Sequence, residues 1–153
     1  MMTSELIQRL TERGITVAVA ESLTGGLLAA HLTEVPGASA VFRGGIVAYA
    51  TDLKHELLGI DSALLEQRGP VDSKVAKLMA VGVANKLSAD IGLATTGVAG
   101  PDSQGGVEVG TIFIACVGQG SETVEEHHFE GTRNEIRALT VQAALALLAR
   151  HVN

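Results

Sequence analysis

Cysteine, tryptophan and basic charge are what this 153-residue chain has least of. Its one cysteine, Cys116, excludes a disulfide framework and any CxxC metal pair. Lying in the apolar run Thr111–Val117, it reads as a small core residue rather than a nucleophile. Tryptophan is absent, and Phe42, Tyr49, Phe113 and Phe129 are the only side chains that can stack on bases. Together with a formal net charge of -6, this argues against a nucleic-acid partner. No stretch reaches the roughly 18 uninterrupted apolar residues of a membrane span, since the longest greasy segment, Ala138–Ala149, contains Thr140 and Gln142. Residues Met1–Leu10 have no basic stretch followed by an apolar one, so a soluble, cytoplasmic protein is expected. GxGxxG, GxxxxGK[ST] and GxSxG are all missing, which removes support for a dinucleotide fold, a P-loop or an α/β-hydrolase elbow.

What is present is 46% hydrophobic, dominated by Val, Ile, Leu and Ala, with 18% charged residues. That composition and length predict one domain over residues 1–153. Helical spacing predicts helices over Thr3–Arg13, Leu27–Leu32, Asp52–Leu58, Asp61–Gln67 and Asp72–Leu87. A last helix opens at Thr132, whose hydroxyl and the Glu135 carboxylate form a capping box. Strands are predicted at Ile15–Ala20, Gly45–Tyr49 and Ile91–Thr95. Val109–Val117 and Thr123–Phe129 flank Gly118-Gln119-Gly120-Ser121 as a hairpin. This order implies an α/β fold, a three-layer αβα sandwich around a mixed, mostly parallel sheet. Ligands then bind beyond the carboxyl ends of the strands.

Three segments carry candidate chemistry. In Ala20-Glu21-Ser22-Leu23-Thr24-Gly25-Gly26, free amides at a helix start suit a phosphate or an oxyanion, and Ser22 can act as nucleophile. Equally, Ser22 or Thr24 can be a plain N-cap. In Gly44–Lys54, a dry Lys54 would lose its proton near neutrality, with Tyr49 able to relay a proton. The alternative is a snorkelling surface lysine and an interface tyrosine. In Thr95-Thr96-Gly97-Val98-Ala99-Gly100-Pro101-Asp102, small residues after a strand make a concavity for a polar ligand, or merely a flexible connection. Arg43, Arg133 and Arg137 are candidates to meet a phosphate. His127 and His128 point to opposite faces of a strand, and no metal site is expected.

Taken together, these segments, with Leu32-Thr33-x-Val35-Pro36-Gly37, Phe42-Arg43-Gly44-Gly45-x-Val47-x-Tyr49 and Lys54-x3-Leu58-Gly59, resemble the CinA C-terminal domain family of nicotinamide-nucleotide amidases. The resemblance runs from about Glu5 to Arg150. It implies a homo-oligomer that hydrolyses the carboxamide of nicotinamide mononucleotide, a small-molecule nucleotide, to nicotinate mononucleotide and ammonia, without a cofactor. It places the nucleophile at Ser22, with Lys54 and Tyr49 assisting. On this reading Thr24, Gly25 and Gly26 supply oxyanion donors, while Arg43, Thr96, Gly97 and Gly100 contact substrate. A non-catalytic nucleotide- or partner-binding domain is the alternative. Three departures stand out: Leu23 replaces the family's cysteine, Asp72 replaces a serine N-cap, and Val107-Glu108-Val109-Gly110 replaces Lys-Pro-Val-Gly. The last change removes a lysine and adds a carboxylate, which repels phosphate.

Overall fold

The computed structural model describes residues 1–153. Thr3–Arg13 forms α1, with Leu6, Ile7 and Leu10 buried on one face and Gly14 closing it in the left-handed region. Val17–Glu21 follows as β1, buried at every position. Then come α2 (Leu27–Thr33), a 3-10 turn at Ala38–Ala40 and β2 (Phe42–Val47). Three helices separate β2 from β3 (Ile91–Gly97): α3 (Thr51–Glu56), α4 (Ser62–Arg68) and α5 (Ser73–Leu87). β4 (Thr111–Gly118), β5 (Ser121–His128) and α6 (Arg133–His151) complete the chain.

The sheet order is β2-β1-β3-β4-β5. β1 pairs in parallel with β2 and β3, whereas β3–β4 and β4–β5 are antiparallel. The mixed sheet of the sequence reading is therefore parallel at its β2-β1-β3 side. β4 and β5 meet through a two-residue turn, Gln119-Gly120, both at positive φ (56° and 76°), so Gly118 and Ser121, expected in the connection, belong to the strands.

Alternation along the strands builds two cores. Val17, Val19, Ile91 and Leu93 point to the layer of α1, α2 and α6. Ala18, Ala20 and Ala94 point to the layer of α5. The second set is small, and Gly92 lies in the same row, so α5 can approach the sheet closely. A Cβ on Gly92 would collide with the backbone carbonyl of Ala80 on α5.

Topology places the site. The chain leaves β1 through α2 on one face to reach β2, then returns through α5 on the other face to β3. At their carboxyl ends β1 and β3 send the chain in opposite directions along the sheet, to β2 and to β4, and such a switch point leaves a crevice. Ser22 follows β1 there, and Thr96-Gly97 end β3 there with Val98–Gly100 continuing beyond it.

Element ends differ from the sequence reading where glycine hides the pattern. β2 begins at Phe42, not Gly45, because Gly44-Gly45 interrupts the apolar alternation. It ends at Val47, so Tyr49 lies in the Ala48–Ala50 connection instead of on the strand. The Thr132–Glu135 capping box forms as expected. No helix is long and apolar enough to cross a membrane.

Candidate active site

The turn after β1 is tied on three sides. Ser22 N donates to Thr95 O (3.1 Å), which fixes the serine beside β3. The Thr24 hydroxyl meets that of Thr95 at 2.8 Å, both fully buried. Arg137 donates Nε to Leu23 O (2.9 Å) and Nη2 to Thr24 O (3.3 Å), pinning the turn from α6.

Glu21 is the element that sequence reading passed over. Its buried carboxylate accepts from the amides of Gly26 (3.2 Å), Leu28 (2.9 Å) and Ala29 (3.1 Å). A negative charge on these groups complements the helix dipole, and its position at the last residue of β1 was the available signal. Gly25 N is likewise engaged, donating to Ser22 O at 3.0 Å. The glycine amides expected to receive an oxyanion are thus already paired within the fold.

Lys54 arrives from α3. It is the largest fully buried side chain, with no exposed surface. Its Nζ donates to Ser22 Oγ at 3.0 Å, Ala48 O at 2.7 Å and Tyr49 O at 3.4 Å. Burial lowers its pKa from 10.5 to about 8. The snorkelling alternative fails because the amine points inward, where carbonyls replace water. Tyr49 contributes its carbonyl, not its phenol: the hydroxyl lies on the rim and accepts from Arg133 Nη2 at 3.0 Å. Lysine and serine therefore touch directly, with no bridging hydroxyl.

These groups floor a cavity of about 100 Å³. Pro70 and Val71 form one wall, and Thr96 to Gly100 another. Thr96 is held to the first wall, its hydroxyl donating to Pro70 O at 2.7 Å. Arg133, Asp102 and Gln104 line the opening. Arg133 also donates to Gly100 O, so it is braced at the mouth with further N–H groups remaining.

The three arginines separate cleanly. Arg133 reaches the cavity and Arg137 holds the serine turn. Arg43 lies at the start of β2, the sheet end opposite Ser22, and donates to Leu87 O at 2.6 Å. Gly25 and Gly26 follow the carboxyl end of β1 but do not line the cavity, whereas Arg43 is remote from the crevice. Position along a parallel strand decides this, because only carboxyl ends face the switch point. The signal for Arg133 was its place in the first turn of a helix fixed by a capping box.

No group of three or more His, Cys, Asp or Glu side chains converges as a metal-ligand set. His127 pairs with Glu125 at 2.8 Å. Cys116 is buried, and desolvation raises its pKa to about 12.

Known proteins resemble this chain in sequence and fold. A CinA-like protein of Frankia casuarinae is 51% identical over 141 residues, covering 92% of this chain and 33% of that protein. One from Geobacter sulfurreducens is 43% identical, covering 92% and 34% respectively. The chain thus spans about a third of the length of these curated relatives. Among crystal structures, a competence-damaged protein (CinA) superfamily protein from Escherichia coli superposes with a TM-score of 0.93 at 34% identity. That alignment covers 97% of this chain and 87% of the other. The competence/damage inducible protein of Agrobacterium tumefaciens gives 0.89 at 35%, covering 97% and 94%. The CinA C-terminal domain model matches residues 1–152, and the chain belongs to that family.

Proposed function

We propose that this protein is a serine amidohydrolase acting on the carboxamide of nicotinamide mononucleotide, releasing ammonia and nicotinate mononucleotide. The observation that carries the reading is the 3.0 Å contact between Ser22 Oγ and a lysine amine with no exposed surface. A surface lysine stays protonated at neutral pH and cannot act as base, whereas one whose pKa falls to about 8 is partly neutral.

Lys54 takes the Ser22 proton as Oγ attacks the carboxamide carbon, and the carbonyl electron pair moves to oxygen. When the intermediate collapses, the C–N bond breaks and the lysine proton leaves with ammonia. Water then gives its proton to the neutral Lys54, hydroxide attacks the acyl-enzyme, and Ser22 regains its proton. The narrow cavity accepts a carboxamide head group, leaving a larger remainder at the mouth. There Arg133 is a donor suited to phosphate, with geometry a lysine lacks.

The test is ammonia release from nicotinamide mononucleotide by the wild type and by Ser22→Ala, with ligand-induced thermal shift measured alongside. Serine-dependent ammonia supports the enzyme. A thermal shift without ammonia favours the non-catalytic binding reading, to which the added Glu108 beside the mouth loop lends weight.

A further inference from the structure

We infer that the oxyanion of the tetrahedral intermediate is received by the backbone N–H of Gly97, at the end of β3, and not by the glycine turn that follows Ser22. The inference rests on the serine-nucleophile reading above and assigns the group that reading leaves open.

The usual reading of a serine followed by Thr-Gly-Gly at a helix start is that the helix amides stabilise the oxyanion. Here the amides from Gly25 to Ala29 are taken. Gly25 N bonds Ser22 O, Leu27 N bonds Thr24 O, and the Glu21 carboxylate receives Gly26, Leu28 and Ala29. Freeing them would leave a buried carboxylate without its partners, which is strongly unfavourable. Neither glycine borders the cavity in which Ser22 and Lys54 meet.

The far side of that cavity is different. Strand alternation sends successive N–H groups to opposite edges. Val98 N donates to Thr111 O on β4 (3.0 Å), so the amide of Gly97 turns to the other edge, towards β1. Ser22 stands on that edge, its own N bonded to Thr95 O. Gly97 borders the cavity with Ser22 and Lys54 and is partly exposed. The backbone there is held from behind: a Cβ on Gly97 would sit 2.7 Å from Thr111 O and press on the Ile112 side chain. The glycine thus gives a fixed amide with no side chain to screen it, the property an oxyanion donor needs.

The position is tested without altering the backbone, by trapping Ser22 with pyridine-3-boronic acid, whose boron becomes tetrahedral when Oγ adds. A crystal structure of the adduct should place a boronate oxygen about 2.7–3.1 Å from Gly97 N. In solution, the Gly97 amide proton should move downfield on adduct formation, the Gly25 and Gly26 amides should stay, and Ser22→Ala should abolish the shift. An adduct on Ser22 whose oxygens bond any amide from Leu23 to Gly26, or only solvent, overturns the assignment and leaves the nucleophile standing. Failure of Ser22 to form any adduct at saturating boronate overturns both the nucleophile and the assignment.

Discussion

Lys54 Nζ lies 3.0 Å from Ser22 Oγ across 32 residues of sequence, and its other two partners are backbone carbonyls. A neutral amine has two N–H groups and one lone pair. The carbonyls of Ala48 and Tyr49 can only accept, so they take the two N–H groups. The Ser22 hydroxyl is the one partner able to give a proton, so the lone pair falls to it. The ammonium meets the same three partners by donating to all of them, so the site serves both forms, and burial without a carboxylate counter-ion shifts the balance towards the neutral one.

Activity should therefore rise with pH as Lys54 loses its proton. The rising limb of kcat/KM should have an apparent pKa of about 8, far below the 10.5 of a free lysine. A kcat/KM profile from pH 5 to 10 checks this. A profile flat from pH 6 to 10 would remove Lys54 from the role of base.

The same shift makes a stability prediction of defined sign. Between pH 8 and 10.5 the unfolded lysine holds its proton and the folded one does not, so the folded state gains stability as pH rises. At about 1.36 kcal/mol per pKa unit, the fall from 10.5 to about 8 is worth about 3 kcal/mol. Relative to Lys54→Met, which cannot titrate, the wild type should gain that amount across the window. Urea unfolding of both proteins at pH 7.5 and pH 10.5 isolates the term. A difference independent of pH would mean that the amine is solvated in the native state.

Much of this site was legible before any fold was known, because its parts are local. Ser22 and Lys54 each sit just past a predicted strand, and a switch point gathers such positions. What escaped was whatever depends on direction. Arg43 and Arg133 look alike in sequence, yet one is at the amino end of a strand and the other at the cavity mouth. Glu21 reads as an ordinary acidic residue, and only its bonds to three amides of the next helix explain its burial. The Tyr49 phenol was expected near the lysine, but β2 stops at Val47, so the connection turns the ring outwards. Pairing partners 26 residues apart, such as Thr96 and Pro70, leave no trace in local pattern.

Cys116 gives an independent check on the core. It lies at the centre of β4 with no exposed surface, and desolvation raises its thiol pKa to about 12. The thiolate is the reactive form, so a disulfide reagent at pH 8 should leave the native protein unmodified and label one thiol in urea. Prompt labelling of the native state would contradict the packing of β4 between two helical layers.

Arg133 makes the sharpest claim about substrate. It is anchored by Gly100 O and the Tyr49 hydroxyl at the cavity mouth, outside the narrow region where Ser22 and Lys54 act. A group at that distance from the carboxamide should bind the remote part of the substrate and leave the reacting atoms alone. Hydrogen bonds to charged groups contribute about 1.5–3 kcal/mol, so Arg133→Ala should raise KM for the mononucleotide by roughly 10- to 150-fold with little change in kcat. Nicotinamide riboside, which lacks the phosphate, should be a poor substrate of the wild type and nearly indifferent to the substitution. Steady-state kinetics on both compounds make the comparison. Equal losses on the two would mean that Arg133 merely holds Tyr49 and the Gly100 loop, and the phosphate would then have to be met by another group.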